Sequence, residues 1–171
     1  MEFKVGDKVI YPNHGVGIIE KIQSRTLSGE ERTFYTLRIL STDSTVMVPV
    51  ANTESVGLRK LLSKKDIEQI FSILKSEKVN VYGDWKGRFQ ENSDRMRTGE
   101  IGLVAEVLKG LTYLSQMKSL SYRERKMLDR ARFLLISEIV EASRLPLDQV
   151  EKQVDEALGS TGTTQQKTTD H

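Results

Sequence analysis

Near residue 60 the spacing of apolar side chains changes from two residues to between three and four, and that change divides the chain. A strand turns successive side chains to opposite faces, whereas a helix returns to one face about every 3.6 residues. Before the change the apolar runs are short and end at turn residues. Val9 and Tyr11 precede Pro12-Asn13-His14-Gly15, and Val16 to Ile22 precede Ser28-Gly29. Thr33 to Leu40 lead into a turn over Ser41 to Ser44, and Thr45 to Val50 close the set. Four or five short strands, with turn signals about every ten residues, predict a small β-barrel of SH3 or Tudor type over residues 1–60.

From Ser63 the pattern is helical. Ser63-Lys64-Lys65-Asp66 has the form of a capping box, with Ile67, Ile70, Phe71 and Leu74 as a stripe behind it. A second helix is expected from about Asp84, thin in apolar residues beyond Trp85, Phe89 and Met96. A third begins at Glu100 and puts Ile101, Val104, Ala105, Leu108 and Leu111 on one face. Ser121-Tyr122-Arg123-Glu124 is a stronger capping box and opens a fourth, through Leu128, Ala131, Leu135, Ile139 and Ala142. Pro146 suits the first turn of a fifth, with Leu147, Val150, Val154 and Leu158 inward. The fold class is therefore α+β in two domains, a β-barrel (1–60) and an all-α bundle of about five helices (61–158). Residues 159–171 lack any large apolar group and are expected to be a disordered tail.

Enzyme chemistry finds no constellation. The only histidines are His14, in a turn, and His171, and there is no cysteine. Histidine triads, thiolate nucleophiles, disulfides and thiolate metal sites are thereby excluded. Gly15-Val16-Gly17 sits in a hairpin without the lysine and helix of a phosphate loop. No cofactor and no metal are expected. The opening MEFKVGDKV has no apolar stretch, and no run reaches the length of a membrane span. A cytoplasmic protein with no membrane partner is the expectation. The net charge of +2 announces no nucleic acid, so any such footprint must be a local strip.

Three features have the makings of binding surfaces. Val46, Val48 and Val50 share one face of the last strand and turn Met47 and Pro49 outward. Proline cannot donate to a ladder, so this strand reads as an edge, open to a partner strand. The other reading, in which Met47 packs under the helices and Pro49 merely ends the strand, has equal weight on parity alone. Trp85, the only tryptophan, stands beside Lys86 and Arg88 at a helix start. That setting suits a wedge against a base step, although a lone tryptophan is more often a core residue. Arg123, Lys126 and Arg130 fall on one face of the fourth helix, as a phosphate-contacting strip or as a solvated basic face. Arg125 and Arg132 straddle Asp129 and read as a salt-bridged surface.

Taken together, the stretches FKVGDKVIYPNHGVG, FYTLRIL, VMVPVANTESVGLRKLLS and LSYRERKMLDRARFLLISE, with the single tryptophan between them, resemble the CarD (CdnL) family of bacterial RNA-polymerase-binding transcription regulators over about residues 1–158. The resemblance implies a Tudor-like N-terminal module that binds the β-subunit lobe of RNA polymerase. It implies a helical domain that contacts promoter DNA at the upstream edge of the bubble, where a tryptophan wedges into the minor groove and stabilises the open complex. Carried onto this sequence, the polymerase contacts are Met47, Pro49 and Arg25, with Leu37 added on the expectation that it lies opposite Met47. The DNA contacts carried over are Trp85, Arg88, Arg125 and Lys126, to which Lys86 beside the tryptophan and Arg130 on the basic strip are added from the residue pattern. Some relatives have arginine where this chain has Met47, and Gly87 and Gln90 stand at positions that are often basic. The expected DNA binding of the protein alone is therefore weak. A monomer is expected. Two rival readings stay open: a polymerase-binding adaptor that never touches DNA, and an RNA-binding or ribosome-associated KOW-like protein.

Overall fold

The computed structural model describes residues 3–12, 14–76 and 85–169, with the backbone alone at residue 85 and over 160–169. The chain forms two compact units, Met1–Leu61 and Leu62–His171.

In the first unit, β1 (Lys8–Tyr11), β2 (Gly15–Leu27), β3 (Glu30–Ile39), β4 (Ser44–Pro49) and β5 (Arg59–Lys60) form one antiparallel sheet. Its order is β4-β3-β2-β1-β5, so β4 is an edge strand as its proline requires. Phe3, Val9, Ile19, Tyr35, Leu37, Val48 and Leu58 make the core, with Tyr11, Val46, Val50 and Val56 against it. The expected small Tudor-type β-module is thus borne out.

Its hairpins follow from their turn residues. Ser28 and Gly29 both have positive φ, at 52° and 82°, and join Leu27 to Glu30 as a two-residue turn of the kind that matches strand twist. β2 and β3 run further toward this turn than the apolar pattern indicates. Beyond the core the two strands need only each other's backbone groups, so their polar ends leave no hydrophobic signal. The first turn, at Pro12 to Gly15, includes Asn13, which lies outside the described residues. A 3₁₀ turn (Val50–Asn52) and the short α1 (Thr53–Val56) lead into β5.

The described residues of the second unit hold five helices: α2 (Lys64–Lys75), α3 (Trp85–Arg97), α4 (Ile101–Met117), α5 (Tyr122–Ser143) and α6 (Leu147–Thr169). Ser63 caps α2 reciprocally: its hydroxyl accepts from the Asp66 N–H at 3.1 Å, and its own N–H donates to Asp66 at 3.0 Å. Leu74, Val104, Ala105, Leu108, Leu111, Ala131, Leu135, Ile139, Val150 and Val154 build the shared core. The expected start of α3 near Asp84 falls outside the described residues.

Two details depart from the sequence reading. Leu147 is exposed, because it is the first residue of α6 and precedes the buried stripe of Val150, Val154 and Leu158. The backbone of α6 also continues through residues 159–169, which composition assigns to a disordered tail. The costly first turn of this helix is already formed by the packed stripe of Val150, Val154 and Leu158, to which the polar residues are added.

Candidate functional sites

The first candidate surface is the outer face of the β-sheet. In β4, Val48 is buried, whereas Met47 is 38% exposed and Pro49 half-buried. The register pairs Met47 with Thr36 and Pro49 with Phe34, and it pairs Thr36 with Lys21 and Phe34 with Gln23 on β2. Arg25 is opposite Arg32, two residues farther along both strands, so Arg25, Met47 and Pro49 lie on one face. A β-bulge between Ile19 and Lys21 makes this possible. Strict alternation from the buried Ile19 would turn Arg25 to the core side, and the extra residue reverses that parity. Glu20 at the bulge pairs with Arg38 of β3, and Arg38 also reaches Asp43 at 3.1 Å. The side chain of Arg25 is exposed and faces another cation, Arg32, across the ladder.

Leu37 is not part of this face. The register places it opposite Val46, one residue off the expected pairing with Met47, and it is fully buried. Its assignment as a contact residue is corrected: it holds the module together from inside. Thr36, Phe34 and Arg32 are the outer-face residues that the sequence reading missed. The two-residue period of β3 contained the signal, but using it needed the register.

The second candidate surface is built where α3 and α5 begin. Arg88, in the first turn of α3, donates from Nε to Glu124 Oε2 at 2.8 Å and from Nη2 to Oε1 at 3.2 Å. Their side chains are only 6% and 2% exposed. Glu124 lies in the first turn of α5, where its N–H donates to the Ser121 hydroxyl at 3.1 Å. Burial pushes the Glu124 carboxyl up, but the hydrogen bond and charge of Arg88, joined by Ser121, outweigh it and hold the group below its ordinary value. The guanidinium is spent inside the protein. Arg88 is therefore corrected from a DNA contact to a clamp between two helices.

Around the clamp the candidate cations are at the surface. Lys86, Arg123, Arg125, Lys126 and Arg130 are exposed. The Arg123 guanidinium sits 5.7 Å from the ring centroid of Phe89 on α3, a second tie between the two helix starts. Lys126 Nζ lies 4.7 Å over the Tyr122 ring, and Arg130 lies 5.4 Å over Phe133. Arg125 stands apart, since at about 100° per residue it is a quarter turn or more from the strip of Arg123, Lys126 and Arg130. Arg132 pairs with Asp155 of α6 through two hydrogen bonds, instead of closing on Asp129 as the sequence spacing indicates. Trp85 is the first residue of α3. Its side chain lies outside the described residues.

Among the described residues no group of histidine, cysteine and acidic side chains has the makings of a metal site. No helix of the described residues is long and apolar enough to cross a membrane.

Two family models cover these same regions: "CarD-like/TRCF RID domain" over residues 3–62 and "CarD, C-terminal domain" over residues 69–155. The chain belongs to the CarD family. The Bacillus subtilis (strain 168) protein named "Putative transcription factor YdeB" is 37% identical over 140 residues, which is 80% of this chain and 90% of that one. Two solved structures from Myxococcus xanthus are similar over the N-terminal part. The NMR structure of the 72-residue N-terminal domain of CarD is 37% identical, covering 34% of this chain and 79% of that one, with a TM-score of 0.31. CdnLNt is 41% identical, covering 39% of this chain and 93% of that one, with a TM-score of 0.33. Both surfaces of this CarD-family chain fall inside the matched regions, the sheet face in the first and the clamp with its cations in the second.

Proposed function

We propose that this chain is a non-enzymatic transcription regulator that docks on the β-subunit lobe of RNA polymerase through the outer face of β2, β3 and β4. Its second unit contacts promoter DNA at the upstream edge of the bubble, and that contact stabilises the open complex. The observation that carries the docking half is the shared outer face of Arg25, Met47 and Pro49 beside an unpaired strand edge. A row of open backbone groups next to a methionine suits strand addition by a partner, with adaptable apolar contact beside it. The DNA half rests on Trp85 and Lys86 at the start of α3 and on Lys126 with Arg130 on α5, with Arg125 to one side. An added aromatic stack worth roughly 1–3 kcal/mol shifts the open fraction only if it forms in the open state and not in the closed one.

Capture of purified RNA polymerase and of its isolated β lobe tests docking. The wild type should bind both, and Met47→Ala should bind more weakly. Trp85→Ala should keep polymerase binding and lose stimulation of open-complex formation; full stimulation by that variant would remove the wedge. The burial of Arg88 takes away one DNA contact and so favours a second reading, an adaptor without DNA contact. Protection of promoter DNA at the bubble edge, lost in Trp85→Ala, distinguishes the two.

A further inference from the structure

Tyr122 is 72% exposed, more than any other described large apolar residue. It opens α5 and stands immediately after the capping Ser121. An isolated exposed aromatic on a surface needs no explanation, but three further observations apply to this one. Lys126 Nζ sits 4.7 Å over the ring, so one face of the phenol is covered by a cation. Arg123 and Arg125 are also exposed within the same first turn. The buried Arg88–Glu124 pair and the Arg123–Phe89 contact fix this turn against the first turn of α3, which begins at Trp85. Two aromatic residues thus stand at the starts of two helices that are locked to each other, with cations around one of them.

We propose that Tyr122 is a base-stacking platform for an unpaired DNA base, with Lys126 and Arg123 on the flanking phosphates. A flat exposed ring within a cluster of cations has the chemistry that single-stranded nucleic acid uses, because every base offers a π-face and every linkage a charge. A duplex offers its bases only at its ends and in its grooves, so the ring distinguishes open from paired DNA. The inference rests on the DNA-contacting reading of this unit and extends it from one aromatic to two.

The test uses the full-length protein and two fluorescein-labelled probes at low salt: a duplex with an unpaired thymine arm, and the same duplex with blunt ends. Wild type should prefer the forked probe. Tyr122→Ala should lose about 5- to 150-fold in affinity for the fork and change less than about twofold on the blunt duplex. Tyr122→Phe, which keeps the ring, should retain the preference. Equal fork binding by wild type and Tyr122→Ala overturns the inference, as do equal losses on both probes or no fork binding by wild type. Tighter binding when the arm is RNA overturns the assignment to DNA. Trp85→Ala is measured in parallel. If it binds both probes like wild type while Tyr122→Ala loses the fork, the tryptophan wedge fails and the platform stands; the reverse pattern keeps the wedge and removes the platform.

Discussion

The hydroxyl oxygen of Thr36 is covered by its neighbours and has no hydrogen-bond partner among the described residues. Threonine suits the backbone of β3 through its branched Cβ, but the oxygen has lost its water without a replacement. Thr36→Val keeps the shape and removes that oxygen. It should raise stability by about 1 kcal/mol in urea unfolding; a loss of stability would mean that the hydroxyl has a partner. Leu37, next along the strand, behaves in the opposite way. It is fully buried, and Leu37→Ala should cost about 2–5 kcal/mol. Any docking defect of that variant should vanish when binding is compared at equal folded fraction. Met47→Ala should leave the melting temperature nearly unchanged and weaken polymerase capture. A docking loss in Leu37→Ala that exceeds its unfolded fraction would return Leu37 to the contact surface.

At the scale of elements, the Arg88–Glu124 clamp has a pH signature. Its carboxyl is held below the ordinary value, so the unfolded chain takes up a proton first as pH falls. The clamp's contribution is present above the unfolded carboxyl value, about 4.3, and is lost as pH drops through the lower folded value. Arg88→Met inverts this. Burial, the largest cause, is then opposed only by the Ser121 hydrogen bonds and raises the carboxyl, so the variant should be more stable near pH 4–5 than near pH 7. At pH 7 it should fall below wild type by about 3–5 kcal/mol. Thermal melts of both proteins from pH 3 to 8 read the two slopes, and parallel curves would show that the pair does not set them. The sequence gives this clamp away only in part. Ser121 and Glu124 read correctly as a helix start, and the strands and five helices follow from period and turn chemistry. Arg88 and Glu124, 36 residues apart, read as surface charges, since nothing local says that two helix starts meet. Arg25 is singled out by the family resemblance alone, and its outward face is not legible in the periodicity for a similar reason: it depends on the bulge between Ile19 and Lys21.

For the molecule as a whole, the buried clamp limits how the proposed DNA surface meets DNA when the protein is alone. With Arg88 spent internally, the exposed cations assigned to the DNA surface are Lys86, Arg123, Arg125, Lys126 and Arg130. Each phosphate contact releases counterions and adds about 0.9 to the slope of log affinity against log salt on duplex DNA. Five contacts cap the slope near 4.5 by that rule, and Arg125, lying off the strip, lowers the expected value to about 3–4. Affinity at physiological salt should then be weak, and a docked protein supplies the missing strength through local concentration, because the DNA-contacting unit is held near the bubble. Anisotropy titrations of a promoter duplex across a range of salt concentrations measure the slope. Lys86→Gln with Lys126→Gln should lower it by about two units, whereas Arg88→Lys should leave it unchanged even if it weakens the fold. A wild-type slope above about 6 would mean that cations outside this surface carry the contact, and an Arg88→Lys slope lower by one would mean that the guanidinium leaves Glu124 for a phosphate when DNA arrives.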